Sequence, residues 1–129
     1  MYTINDQLAT HGLEEQWSSD TTDEMIAKPD SQGMIDGFKV IDVRDIMLDA
    51  RNPLDVYRKL TNMAVQILRD NGKVVICCSA GVSRSNSIAI AVLVKHFQMS
   101  FEDAVSLVSE KVPIANPLPC HLQQVRRIL

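Results

Sequence analysis

Two side chains, Cys78 and Arg84, are best placed by type and spacing to do chemistry. They bound the segment Cys78-Ser79-Ala80-Gly81-Val82-Ser83-Arg84, which Ser85 follows. Small residues at these positions let the backbone curl until successive N–H groups face inward as a nest for an anion. A helix beginning at the far end adds its positive terminus at the same point. Arg84 can pair bidentately with two oxygens of a phosphate group. The same field favours the thiolate of Cys78 and so arms a nucleophile. The chemistry that fits is in-line attack of Cys78 on phosphorus. Arg84 and the amides of Ser79, Ala80, Gly81, Val82 and Ser83 would stabilise charge on the equatorial oxygens. A carboxylic acid on the opposite side would protonate the leaving oxygen, then act as base toward the water that releases phosphate. Ser85 is placed to hydrogen-bond the departing sulfur. This chemistry calls for no metal and no cofactor.

Such a loop needs a strand before it and a helix after it. Lys73-Val-Val-Ile-Cys-Cys78 is a short, almost wholly apolar run, which predicts a strand covered on both faces. Ser85 to Phe97 is apolar on nearly all sides and predicts a buried helix. Phe38 to Val43 predicts another strand, rich in β-branched residues after Gly37. Asn52-Pro53 reads as a helix start, with Tyr57, Leu60, Ala64, Ile67 and Leu68 repeating on one face. Asn71-Gly72 would end it, with Gly72 supplying the left-handed conformation. Ser100 caps a further helix running to Glu110 or Lys111, with Asp103 in the capping-box position. Asn116-Pro117 opens a last helix, with Leu118, Leu122, Val125 and Ile128 on one face. Tyr2 to Ile4 is read as a first strand, and Gln16 to Gly37 as a loop-rich stretch. The pattern is α/β: a central sheet with helices packed on it, in one domain spanning residues 1–129.

Composition narrows the function classes. The formal net charge of −3 is unevenly spread. Residues 1–50 hold 11 acids against Lys28, Lys39 and Arg44, whereas residues 51–129 hold 10 bases against 5 acids. The second segment carries the loop, and its sign suits an anionic substrate. No Lys/Arg cluster is dense enough to argue for nucleic acid. No apolar run has the length to span a bilayer, and the start Met1-Tyr-Thr-Ile-Asn-Asp lacks the pattern of a signal peptide. A cytoplasmic protein is the expectation. Three cysteines, Cys77, Cys78 and Cys120, with two adjacent, argue against a disulfide framework and against a zinc site. The oligomeric state is left open, and a monomer is compatible with the sequence.

Val74-Val-Ile-Cys-Cys-Ser-Ala-Gly-Val-Ser-Arg-Ser85 resembles the signature of the dual-specificity protein phosphatases, within the cysteine-based protein tyrosine phosphatase superfamily. The resemblance runs from about Phe38 to Leu129. It implies a four- or five-stranded, largely parallel sheet flanked by helices. It also implies a shallow pocket that accepts phosphotyrosine and phosphoserine or phosphothreonine of a protein substrate. The family's general acid would lie on a loop at a distance from the cysteine between those of Asp45 and Asp49, 33 and 29 residues ahead of Cys78. Asp45 is the first choice and Asp49 the second; Asp42 belongs to the strand.

One residue departs from the pattern. The family usually carries His directly before the nucleophile, and here that residue is Cys77. Cysteine is a weak hydrogen-bonding group and does not reproduce an imidazole. The alternative function is therefore a phosphate-binding pseudophosphatase with weak or no turnover. Sulfur transfer, arsenate reduction and a purely structural role fit less of the Gly81/Arg84/Ser85 pattern.

Overall fold

β-branched and aliphatic side chains concentrate in a few short runs of the chain, and these runs form the sheet. The computed structural model describes residues 2–12, 34–35, 37–42, 53–78, 84–113, 115–116 and 119–129. In chain order the elements are β1 (Tyr2–Thr3), β2 (Leu8–Gly12), β3 (Met34–Ile35), β4 (Phe38–Asp42), α1 (Pro53–Arg69), β5 (Val74–Cys78), α2 (Arg84–Lys95), α3 (Phe101–Lys111) and α4 (Pro119–Ile128). The five strands make one sheet in the order β1-β2-β5-β4-β3. The three inner strands β2, β5 and β4 run parallel. The outer pairs β1–β2 and β3–β4 are antiparallel hairpins. The expected α/β, largely parallel sheet is therefore present, with both edges reversed in direction.

Each hairpin has a local cause. Between β1 and β2, the Asn5 side chain accepts from the amides of Gln7 and Leu8 at 2.8 and 2.9 Å, closing an Asx turn. Between β3 and β4, Ile35 and Phe38 are register partners, which leaves two residues of chain between the strands. Gly37 sits at φ +84°, as a tight hairpin of this length requires.

The end of α1 corrects one expectation. Asn71, not Gly72, takes the left-handed conformation, with φ 64°. The amide of Asn71 donates to the Leu68 carbonyl at 3.1 Å and that of Gly72 to the Ile67 carbonyl at 2.9 Å, the paired bonds of a Schellman stop. Gly72 is needed for a different reason. A Cβ there would lie 2.8 Å from Ile67 Cγ2 and 2.9 Å from its carbonyl oxygen. Ser100 caps α3 as expected, its hydroxyl accepting from the Asp103 amide at 3.1 Å. The last helix starts at Pro119, later than Asn116-Pro117 had suggested.

The helices cover one face of the sheet. Leu8, Val74, Ile76 and Ile41 point into a cluster with Tyr57, Leu60 and Leu68 of α1, Ile88 to Leu93 of α2, Val108 of α3 and Val125 of α4. A smaller cluster lies on the opposite face, formed by Ala9, Phe38, Val75 and Cys77 with Val40 against it. Val74, Val75, Ile76 and Cys77 are all fully buried, as an inner strand covered on both faces must be. At the rim, Arg126 ties α4 to α3 by reaching Glu102 at 3.1 Å and lying over the Phe101 ring. Among the described residues, no helix is long and apolar enough to cross a membrane.

Candidate active site

The apolar run of β5 carries the chain through the centre of the sheet and delivers Cys78 as its last residue. Arg84 is the first residue of α2. The expected strand into Cys78 and helix from Arg84 are thus both present. Parallel register brings three strand ends together, since Gly12 of β2 pairs with Cys78 and Asp42 of β4 pairs with Cys77. Ligands of open α/β sheets bind outside the carboxyl ends of such strands. The helix supplies the matching electrostatics. Its first turn carries no acidic residue to offset the positive end of the helix dipole. It packs against β2 and β5 through an aliphatic surface, and Ser85, Asn86 and Ser87 in its first turns are fully buried.

Of the loop, Ser79, Ala80, Gly81, Val82 and Ser83 lie outside the described residues, as do Asp45 and Asp49. Asp42 belongs to its strand, as anticipated. The chain that carries Asp45 and Asp49 therefore leaves β4 at the same sheet end at which Cys78 leaves β5. Cys77 is fully buried and on the sheet face opposite the helices.

The structure adds one residue that sequence reasoning passed over. His11 sits on β2 in register with Cys77 and is 2% exposed. Its pKa is pushed below the usual imidazole range, chiefly by burial and in smaller part by the positive amino terminus. Its strand, Leu-Ala-Thr-His-Gly, lacks a β-branched run, so no strand was expected there. The Asn5-Asp6 turn signal three residues earlier is the cue that could have found it.

Comparison with known proteins follows the same lines. The family model for the dual specificity phosphatase catalytic domain matches residues 18–128. A MAP kinase phosphatase with leucine-rich repeats from Dictyostelium discoideum is 32% identical over 82 residues, 64% of this chain and 10% of that protein. Mouse dual specificity protein phosphatase 19 is 32% identical over 89 residues, 69% of this chain and 40% of that protein. The chain thus spans well under two thirds of the curated relatives it matches here. Among solved structures, the human tyrosine phosphatase-like serine/threonine/tyrosine-interacting protein superposes with a TM-score of 0.58. It is 23% identical, and the match covers 93% of this chain and 72% of that one. At that identity the likeness speaks for the fold.

Proposed function

The chain belongs to the dual-specificity phosphatase family, and from that premise we propose that it hydrolyses phosphotyrosine and phosphoserine or phosphothreonine in proteins. Residues 1–129 form the catalytic domain in this reading. The observation that carries it is the placement of Cys78 at the end of β5 and Arg84 at the start of α2.

In the reaction, the Cys78 thiolate attacks phosphorus and the bond to the seryl, threonyl or tyrosyl oxygen breaks. Arg84 and the amides of residues 79–83 hold the equatorial oxygens through the charge-rich transition state. Asp45 gives its proton to the leaving oxygen, with Asp49 the alternative donor. Water then attacks the cysteinyl-phosphate and the same carboxylate takes its proton. Sulfur departs as thiolate with Ser85 donating a hydrogen bond, and inorganic phosphate is released.

A second reading is a phosphate-binding domain with little turnover. It is favoured by Cys77 in the place of the family's usual His, and by the likeness to a protein named phosphatase-like and interacting. Hydrolysis of p-nitrophenyl phosphate by wild type, Cys78→Ser, Asp45→Asn and Asp49→Asn separates the two. Catalysis predicts a loss on the order of a thousandfold or more in Cys78→Ser. The Asp→Asn variant that removes the true acid loses about a hundredfold or more on a poor leaving group. Wild-type activity in Cys78→Ser would sink the reading. A wild type that binds phosphopeptide without turning it over would establish the second one.

A further inference from the structure

Asn71 is followed by Gly72, and no other asparagine of the chain precedes a glycine. That pair has a chemistry of its own. The backbone nitrogen that follows an asparagine can attack the side-chain amide carbon, and glycine, with no side chain, hinders the attack least. Asn5, Asn62 and Asn86 precede the larger Asp6, Met63 and Ser87. Asn52 and Asn116 precede proline, whose nitrogen has no proton to give up. Asn71 is also exposed, so water reaches whatever forms there.

The fold keeps both halves of the pair for structural reasons. Asn71 holds φ 64° at the end of α1, a conformation that asparagine tolerates better than most residues. A Cβ at position 72 would lie 2.9 Å from the Ile67 carbonyl oxygen, so glycine is required there. The same geometry restrains the reaction. The attacking nitrogen must lose its proton, and in the folded chain the Gly72 N–H donates to the Ile67 carbonyl at 2.9 Å. Attack waits for that bond to open, as exchange of an amide proton with solvent does.

The connection is pinned on both sides. Leu68 is 2% exposed in the helix-side core. Beyond the turn, the Lys73 carbonyl accepts from the Lys39 amide at 2.7 Å, and the Val74 amide donates to the Gln7 carbonyl at 2.8 Å. Val74 begins β5, the strand that ends at Cys78. We propose that Asn71 is a modification site, at which the Gly72 nitrogen displaces ammonia from the side-chain amide at a rate set by opening of the α1 stop. The new bond joins the Gly72 nitrogen to Asn71 Cγ, and the bond from Cγ to the amide nitrogen breaks. The proton from Gly72 departs with the ammonia, leaving a succinimide. Water then opens the ring. Addition at Cγ restores the original backbone as aspartate. Addition at the backbone carbonyl carbon routes the chain through Cβ and Cγ as isoaspartate, which adds one atom to the main chain. With Leu68 and Val74 held, that atom is accommodated by breaking the bonds from Asn71 to Leu68 and from Gly72 to Ile67.

The test ages wild type and Asn71→Gly at mildly alkaline pH in buffer, in urea below the unfolding transition and in urea above it. Peptide mass spectrometry follows the amide-to-acid mass gain, and labelling by protein isoaspartyl methyltransferase separates isoaspartate from aspartate. Exchange of the Gly72 amide is read by NMR. Conversion at Asn71 should be about tenfold or more slower in buffer than in the unfolded chain. Urea below the transition should speed it in step with Gly72 exchange. Asn62, exposed but followed by Met63, should convert far more slowly than Asn71 throughout. Asn71→Gly, which keeps the left-handed backbone, should lack the mass gain at this position. The isoaspartyl form, separated by chromatography, should unfold at lower urea than the unmodified protein, while Asn71→Asp stays close to wild type. Equal rates in folded and unfolded chains overturn the proposal. So does a Gly72 amide that exchanges in buffer while Asn71 stays intact, and so does an isoaspartyl form as stable as the unmodified protein. None of these readings depends on turnover at Cys78.

Discussion

Ile76 and Cys77 are neighbours on β5, both fully buried, and they face opposite sides of one sheet. The Ile76 side is mostly aliphatic and is packed by residues of all four helices. The Cys77 side is a small cluster that ends, at the carboxyl edge of the strands, in a row of His11, Cys77 and Asp42. The difference separates two uses of burial. On the helix side, removing methylenes from water holds β5 in place. On the other side, burial costs the His11 imidazole its solvation and lowers its pKa.

Three perturbations sharpen that contrast. The largest effect belongs to Ile76→Ala, which leaves a cavity under α2 and should cost about 2–5 kcal/mol in denaturant stability. Under conditions where the variant remains folded, its pH–rate profile should keep the wild-type shape. A shifted profile would mean that the helix side also tunes the nucleophile. Next is Cys77→His, which places an imidazole where the structure has a small, fully buried thiol. Overpacking should cost about 1–3 kcal/mol, while activity rises or its acid limb shifts. An unchanged profile would show that position 77 is merely filled. The gentlest effect is with pH. The folded imidazole of His11 takes a proton less readily than it does in the unfolded chain. Below about pH 6.5 the unfolded state therefore binds more protons, and stability falls as the pH is lowered toward the folded value. His11→Leu should flatten that part of the curve in urea titrations at several pH values.

The frame of the site was legible because it is built from local signals. The apolar run into Cys78 and the aliphatic helix beyond Arg84 each read correctly from the residues alone. So did Pro53 at the start of α1 and Ser100 as a cap. His11 was not legible. Its burial beside Cys77 depends on β2 lying beside β5, a pairing between residues far apart in sequence, and its own segment has weak strand propensity. The stop of α1 was misassigned for a subtler reason. Asn and Gly both tolerate a left-handed backbone, and the close approach of Ile67 decided which of the two adjacent residues took it. Asp45 against Asp49 is a choice between two carboxylates on one connection, which spacing leaves open.

The hairpins at the two sides of the sheet have a further consequence. β1 and β3 are two residues long, whereas the three strands between them have five residues each. An exposed strand is a template on which another chain can zip up, and its hazard grows with the length of backbone it offers. The long, apolar β5 sits in the middle of the order, and the outermost described strands offer little ladder to extend. This apolar, β-branched run is thereby kept away from the described edges, where a second copy could add to it.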